Sequence, residues 1–350
     1  MATFDSPDFD DHEAVHWFND TRSGLRAIVA IHKRRGGRAG GGARMMAYPD
    51  EQAALNDALR LSRAMTYKHV LCGSPFGGGK IIVLGDPARA KTDAKFRALG
   101  RIIDSFAGGY VTGEDVGTTP RDMALIREGT RWVIGVEGAG GDTSPATAYG
   151  VQLGIEAAVR RALGATSVEG LTIAVQGVGN VGFALARRLA EAGARLVAAD
   201  ADPARAQRAA AELGARIVAP EQILAVEAEV LSPCALGGVL NDATIPRIRA
   251  KVVAGAANNQ LAEARHGAML AERGILYAPD YVINAGGVLH ALVELEGFDP
   301  ARVFRDVRRI REALEEVFAR AVRTGEPTSA AADAIARERL AAEADGAQAA

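Results

Sequence analysis

Apolar and polar residues alternate with two different rhythms along the chain. In the first part the period changes from element to element. Ala27-Ile28-Val29-Ala30-Ile31 is a continuous apolar run of strand length. Between Glu51 and Met65, residues Ala54, Leu55, Ala58, Leu61 and Met65 share one face of a 3.6-residue period, which predicts a helix with Lys68 just after it. Gly77-Gly78-Gly79-Lys80 then leads into a second strand-like run, Ile81-Ile82-Val83-Leu84. A helix is predicted from Thr92 to Phe106, closed by Gly108-Gly109, and another opens at Pro120 after the polar stretch Thr112–Thr119.

The second part is regular. Apolar strand-like runs begin near Leu171, Leu196, Ile217, Val230, Val252 and Ile275, most of them separated by helical stretches such as Gly179–Ala192 and Pro203–Leu213. Strands alternating with helices predict parallel βαβ units and a doubly wound sheet. Polar, glycine-rich Glu137–Ser144 marks the expected boundary between two domains. A long helix is expected over Pro300–Arg323 and a final one over Thr328–Ala344, with a frayed tail at Ala344–Ala350.

Composition narrows the function classes. The 350 residues suffice for about two domains. Lys and Arg (41) nearly balance Asp and Glu (43), leaving −2, so no strong basic field for nucleic acid or an anionic membrane is expected. Glycine is in excess, 40 where average usage gives about 25, and predicts many tight turns and close backbone approaches. Cys72 and Cys234 have no metal-ligand spacing, the acidic first twenty residues do not read as a signal peptide, and no apolar run reaches membrane length. A soluble, cytoplasmic protein is expected.

The sharpest motif is Gly177-Val178-Gly179-Asn180-Val181-Gly182, a G-x-G-x-x-G that follows a strand and opens a helix. Gly177 permits the tight turn, Gly179 the approach of a pyrophosphate, and Gly182 close helix–strand packing. The helix start supplies free N–H groups. Asp200 ends the next strand about twenty residues on, where an acid accepts from ribose hydroxyls. The run Gly77–Lys80 fails as a phosphate loop, because Ser74 and Ile81 stand where Gly and Ser/Thr are needed. Lys80 and Lys68 read either as surface lysines or as two ammonium groups in one pocket, each lowering the other's proton affinity. Asp115 reads as a turn-former or as a proton-transfer partner of an amine base. Asn258-Asn259 and Asn284 stand at expected carboxyl ends of strands, where open α/β sheets bind ligands, although amides also cap helices. His12 and His16 lie in a segment expected to be polar and poorly ordered, and no metal site is expected there. No H-E-x-x-H, C-x-x-C or G-x-S-x-G occurs.

Taken together, Gly41-Gly42-Ala43-Arg44-Met45, Met65-Thr66-Tyr67-Lys68, Gly77–Lys80, Glu114–Thr119, Ser144–Gly150, Pro233–Gly237, Ala257–Leu261 and Ala278–Gly287 resemble the leucine/phenylalanine/valine dehydrogenases of the glutamate-dehydrogenase superfamily. The match runs in order through nearly the whole chain. It implies an α/β fold: an N-terminal α/β substrate and assembly domain (1–140, with a returning C-terminal helix at about 327–350) plus a Rossmann doubly wound parallel-sheet NAD domain (141–326), with a cleft between them. It implies NAD-dependent oxidative deamination of an apolar L-amino acid to the 2-oxo acid and ammonia, by a homo-oligomer.

The resemblance also implies roles. Lys80 would be the general base and Asp115 would assist proton transfer. Lys68 would hold the substrate carboxylate, and Asn258, Gly41 and Gly42 would bind substrate too. Gly40, Met65, Gly113, Val288 and Ala291 would wall the side-chain pocket. Thr147, Gly177, Val178, Gly179, Asn180, Val181, Gly182, Asp200, Arg205, Ala235, Leu236, Asn259 and Asn284 would bind the cofactor, and Arg205 could reach a phosphate. Small residues at 40, 113 and 291 predict a roomy pocket that accepts an aromatic side chain at least as readily as leucine or valine. The loop Lys33-Arg34-Arg35 to Arg38 departs from the pattern, being unusually basic and having Arg38 in place of proline. Two other readings compete: a Rossmann dehydrogenase acting on 2-hydroxy acids, which would need a His–carboxylate base and a binding Arg, and a non-catalytic NAD-binding regulator.

Overall fold

The computed structural model describes residues 3–136 and 140–348. Their contacts form two units, Met1–Asp142 with Ala291–Asp299, and Thr143–His290 with Pro300–Ala350. Glu137–Ala139, part of the expected boundary, lie outside the described residues.

The first unit holds β1 (Ala14–Asp20), β2 (Leu25–Lys33), β3 (Ala39–Gly40), β4 (Ala43–Met46), β5 (Gly77–Leu84) and β6 (Tyr110–Val111). Its helices are α1 (Glu51–Leu71), α2 (Pro87–Ala90), α3 (Asp93–Asp104) and α4 (Pro120–Arg127). The sheet runs β1-β2-β5-β3-β6 with β4 also paired to β5. The β1–β2 and β2–β5 pairs are antiparallel, and β3 and β4 lie parallel to β5. Strand period two sorts the core onto two faces. Leu25, Ala27, Val29, Ile31, Ile81 and Val83 pack with Phe96, Leu99, Ile103, Met123 and Ile126 of α3 and α4. Ile28, Ala30 and Ile82 pack with Ala54, Leu55, Ala58 and Leu59 of α1.

Several expectations change here. The strand expected from Ile81 begins earlier, so that Gly77–Lys80 are part of β5. A Cβ on Gly78 would stand 2.6 Å from the Met65 carbonyl carbon, so helix and strand meet backbone to backbone. α1 extends to Leu71, which puts Lys68 in its last turn, not beyond the helix. The N-terminal segment is ordered: His12 is buried, with Nε2 at 3.1 Å from the Leu59 carbonyl, and His16 lies in β1. The basic loop is a hairpin whose charges are all engaged. Lys33 pairs with Asp11, Arg34 with Glu13, Arg35 donates to the Phe76 carbonyl, and Arg38 lies over the rings of Phe76 and Trp132.

In the second unit all six strands are parallel, in the order β12-β11-β10-β7-β8-β9. They are β7 (Thr172–Gln176), β8 (Arg195–Ala199), β9 (Arg216–Ile217), β10 (Val230–Pro233), β11 (Val252–Val253) and β12 (Leu276–Tyr277). The helices are α5 (Ser144–Leu163), α6 (Asn180–Glu191), α7 (Pro203–Leu213), α8 (Arg265–Glu272), α9 (Asp280–Ile283), α10 (Gly286–Glu296), α11 (Pro300–Val307), α12 (Arg309–Thr324) and α13 (Thr328–Gln348). From β7 the chain winds outward through β8 and β9, then returns to β10 on the other side of β7. The β7/β10 gap is therefore the switch point at which such sheets bind ligands.

Three further differences concern this unit. Tyr281-Val282-Ile283 is a helical turn rather than a strand. The long helix after Pro300 is two helices, because the amides of Arg308 and Arg311 bond three residues back, to Arg305 and Arg308, and tighten the junction. The terminal helix α13 packs on α8, α12 and β12, burying Ala331, Ala332, Ile335 and Ala336, and Thr328 donates to the Tyr277 carbonyl. It therefore groups with the second unit, and the segment grouping with the first is Ala291–Asp299. α13 continues through the expected frayed tail to Gln348; residues 349–350 lie outside the described residues.

Candidate active site

Period two on β5 places Lys80 on the same sheet face as Gly78 and Ile82, beneath α1, with Ala30 opposite it on β2. Arg44 of β4 is the register partner of Ile82, which brings it to that face. Asp57 is on α1 above, and the loop after β6 delivers Asp115. The result is a buried ionic chain. Lys80 Nζ pairs with Asp115 Oδ2. The same oxygen accepts from Arg44 Nε at 3.3 Å, and Arg44 reaches Asp57 Oδ2 at 3.0 Å. Asp57 also accepts from the Tyr48 hydroxyl and from Arg60, each at 2.6 Å.

The loop that carries Asp115 is tied down. The Asp115 amide donates to Thr118 Oγ1 at 2.9 Å, Thr118 donates to the Ala43 carbonyl at 2.9 Å, and the Val116 amide donates to Asp115 Oδ1 at 2.7 Å. A Cβ on Gly42 would stand 2.9 Å from the Asp115 Cβ, so the loop closes over Gly42.

Burial sets the electrostatics. The Lys80 side chain is only 7% exposed, and its desolvation draws the ammonium below its ordinary value against the opposing pull of Asp115. A like charge beside it is that of Arg44, which the two-lysine reading did not include. Burial tends to raise Asp115, but Lys80 and Arg44 outweigh it and hold the carboxyl below the usual range. Such a set can take up and release a proton at the amine while the carboxylate stays ionised.

Two of the residues expected to wall a side-chain pocket lie against large side chains. Gly40 is buried at the end of β3. A Cβ there would stand 3.1 Å from His69 Nε2 and 3.4 Å from Phe76 Cδ2. A Cβ on Gly113 would stand 2.9 Å from Ile134 Cγ1. The space beside these glycines is thus bounded by His69, Phe76 and Ile134. Met65 and Lys68 are half-buried, one turn apart on α1. Gly41 lies against Gly79, and Tyr110 and Thr112 both donate to its carbonyl.

In the second unit Gly177 turns the chain at φ 90°, and a Cβ on it would stand 2.7 Å from the Ala235 Cβ. The loops after β7 and β10 therefore meet at the switch point. Gly182 lies under the Gly177 carbonyl and beside Cys234. No side chain caps the start of α6 at Gly179, which leaves the Asn180 and Val181 end to a ligand. Asp200 Oδ2 accepts from the Val178 amide at 2.8 Å, and Oδ1 from Asp202 at 2.9 Å. Arg205 pairs with Asp202, and its guanidinium stands 3.7 Å from where a Cβ on Gly179 would be. Leu236 is 80% exposed beside this turn.

Asn284 donates to Asn258 Oδ1 at 2.7 Å and to the Ala256 carbonyl at 3.0 Å, which joins the two expected amides. Its own Oδ1 is buried without a partner among the described residues. Asn259 follows at φ 52° with its carbonyl on the Gly238 amide. Thr147 of α5 donates to the Thr143 carbonyl, and a Cβ on Gly287 would stand 3.1 Å from its hydroxyl. Val288 and Ala291 are one turn apart on α10, half-buried and buried.

An open turn, a free helix start, an acid on the next strand and an unpartnered amide oxygen fit a nicotinamide dinucleotide. Asp242, Glu263 and His266 cluster elsewhere in this unit. Arg265 holds both carboxylates, and the Glu263 amide donates to His266 Nδ1 at 2.9 Å. Nε2 therefore keeps its proton, and the group fits an ion-pair knot rather than a metal centre.

The sequence reading assigned no role to Arg44, Asp57, Tyr48, His69, Phe76 or Ile134. Only Arg44 fell inside a quoted motif. The others act through strand register and packing that spacing does not reveal.

Comparison with known proteins shows the family. The family model for the Glu/Leu/Phe/Val dehydrogenase dimerisation domain matches residues 12–132, and that for Glutamate/Leucine/Phenylalanine/Valine dehydrogenase matches 138–204 and 203–346. The chain is 50% identical over 333 residues to a leucine dehydrogenase of Geobacillus stearothermophilus, covering 94% of this chain and 91% of that protein. It is 42% identical over 348 residues to a phenylalanine dehydrogenase of Caldalkalibacillus thermarum, covering 97% and 94%. The crystal structure of L-tryptophan dehydrogenase from Nostoc punctiforme superposes with a TM-score of 0.85 at 42% identity, covering 94% of this chain and 96% of that one. No described helix is long and apolar enough to cross a membrane. The chain belongs to the glutamate/leucine/phenylalanine/valine dehydrogenase family and is an amino acid dehydrogenase, an oxidoreductase acting on the CH–NH2 group.

Proposed function

We propose that the chain oxidises an apolar L-amino acid to its 2-oxo acid and ammonia with NAD, using Lys80 as general base. The buried Lys80–Asp115 pair carries this reading: an amine of lowered proton affinity held against an ionised carboxylate. Bound NAD supplies the hydride acceptor. Gly177–Gly182 would cradle its pyrophosphate, Asp200 its adenosine ribose and Thr147 its carboxamide, with Asn284, Asn259, Ala235 and Leu236 around it. Lys68 holds the substrate carboxylate, and Gly41, Gly42 and Asn258 complete its binding. After hydride leaves Cα the substrate is an iminium. Neutral Lys80 takes a proton from water, which adds to the iminium carbon; the resulting ammonium, steadied by ionised Asp115, returns that proton to the amino group, and Lys80 then takes the hydroxyl proton. The C–N bond then breaks to give ammonia and the 2-oxo acid.

By the family pattern Gly40, Met65, Gly113, Val288 and Ala291 would wall the side-chain pocket; His69 and Phe76 stand beside Gly40, and Ile134 beside Gly113. Among the groups given to this wall no carboxylate or ammonium appears, which favours an apolar side chain over that of glutamate. The relatives bear this out in kind, being named for leucine, tryptophan and phenylalanine. We further propose a homo-oligomer acting in the cytoplasm, in keeping with the dimerisation-domain match and two free thiols.

A substrate panel tests this. The purified chain is given aliphatic, aromatic and acidic L-amino acids and 2-hydroxy acids, with NAD or NADP, and reduced nicotinamide is followed by absorbance. Turnover of apolar amino acids with NAD is expected. Turnover of glutamate alone, or of hydroxy acids alone, would overturn the reading.

A further inference from the structure

We infer that Arg44, anchored by Asp57, is a positioning residue that tunes the proton affinity of Lys80 by sharing its carboxylate partner. The inference rests on Lys80 being the general base.

The geometry is specific. Lys80 and Arg44 meet the same oxygen of Asp115, Oδ2, while its other oxygen is held by the Val116 amide. Asp115 thus cannot commit its charge to Lys80 alone. Arg44 is fixed in this shared position from behind. Asp57 holds its far nitrogen at 3.0 Å and is itself held by Tyr48 and Arg60. The side chains of Arg44, Asp57 and Asp115 are 14%, 11% and 17% exposed, so water screens them little. A guanidinium cannot lose its proton here, so the positive charge beside the amine is permanent.

The charged groups around Lys80 are few. Asp115 comes from the loop after β6, Arg44 from β4 and Asp57 from α1, whereas Ala30 faces it from β2. Two carboxylates alone would favour the ammonium form and spoil the base. A fixed cation offsets one of them. The structure thus contains, besides burial, a second device that lowers the proton affinity of the amine.

The test compares Arg44→Gln, Arg44→Lys and Asp57→Asn with the parent. The first readout is the acid limb of the pH profile of kcat/KM for an apolar amino acid. The second is the titration of Lys80 itself, by competitive labelling with trace acetic anhydride and peptide mass spectrometry. Arg44→Gln should move both upward by about one pH unit, a tenfold loss of kcat/KM at a fixed pH on the limb. Arg44→Lys, which keeps the charge, should return both toward the parent. Asp57→Asn removes one of the two carboxylates that favour the ammonium and leaves the Arg44 charge, so it should not reproduce the upward move of Arg44→Gln. An Arg44→Gln enzyme that is slower but has an unmoved limb and an unmoved Lys80 titration would overturn the inference and leave Arg44 a structural residue. A moved labelling midpoint with an unmoved limb supports the tuning and sinks the general-base reading of Lys80, so the two failures are distinguishable.

Discussion

A methyl group placed on Gly40 would stand 3.1 Å from Nε2 of His69, a tighter approach than side chains ordinarily make. His69 cannot retreat easily. It is buried, and its Nδ1 lies 2.7 Å from Ser74 Oγ. Gly40→Leu should therefore fill what space remains at this wall and displace the His69 ring. We expect aromatic substrates to lose at least tenfold in kcat/KM relative to leucine and valine. The same panel run on parent and variant checks this; an unchanged preference would remove Gly40 from the pocket wall.

Under the proposed function, cofactor choice would turn on Asp200 and Arg205. The carboxylate would accept ribose hydroxyls and repel a 2′-phosphate. Asp200→Ser should raise the ratio of kcat/KM for NADP over NAD by at least tenfold, with Arg205 available to the phosphate. The variant also loses carboxylate bonds to the Val178 and Asp202 amides, so some loss with both cofactors is expected. Equal use of both cofactors by the parent would contradict the assignment.

Much of this arrangement is legible in the sequence, for identifiable reasons. Gly177, Gly179, Gly182 and Asp200 stand close in sequence and obey local geometry, so spacing alone places them. The six parallel strands announce themselves by apolar runs between helices. Lys80 and Asp115 are 35 positions apart by their numbers, and only the motif resemblance joined them before the sheet register did. Arg44 is at the site because it faces Ile82 across β4 and β5, a pairing invisible to any local pattern. The glycines before Lys80 have little strand preference, so the apolar pattern starts the strand at Ile81. Here they are strand residues, since α1 packs directly on the backbone of β5. The destination of α13 was likewise a matter of tertiary packing, decided by Thr328 on Tyr277 and by a small apolar face on α8 and α12.

That packing makes its own prediction. Gly78→Ala would drive a Cβ into the backbone of Met65 and Thr66, and α1 would have to shift. A loss of about 1–3 kcal/mol is expected, read as a lower thermal midpoint, together with a raised KM because Lys68 rides on the same helix. A neutral Gly78→Ala would mean the helix sits further from the strand.

Acid should weaken the first unit through its buried histidines. Burial, with His12 close by, lowers His32 to about 4, and burial lowers His69 to about 3. Unfolded histidine titrates near 6.5. The unfolded chain therefore binds more protons below that pH, and the stability present above about 6.5 is lost as pH falls through about 4. For His32 the full loss is on the order of 3 kcal/mol. Urea midpoints at neutral and mildly acidic pH should separate, and His32→Gln should narrow the gap. An identical acid slope in His32→Gln would refute the role of this ring.

The central claim is that the buried amine of Lys80 does the proton chemistry while the glycine turn of the other unit holds the cofactor. The most direct measurement is the turnover of Lys80→Ala on its best apolar amino acid, alongside its affinity for NADH by fluorescence titration. The account predicts a fall in kcat of at least ~10²-fold with cofactor affinity within a few-fold of the parent. An enzyme that keeps kcat within a few-fold of the parent would contradict it.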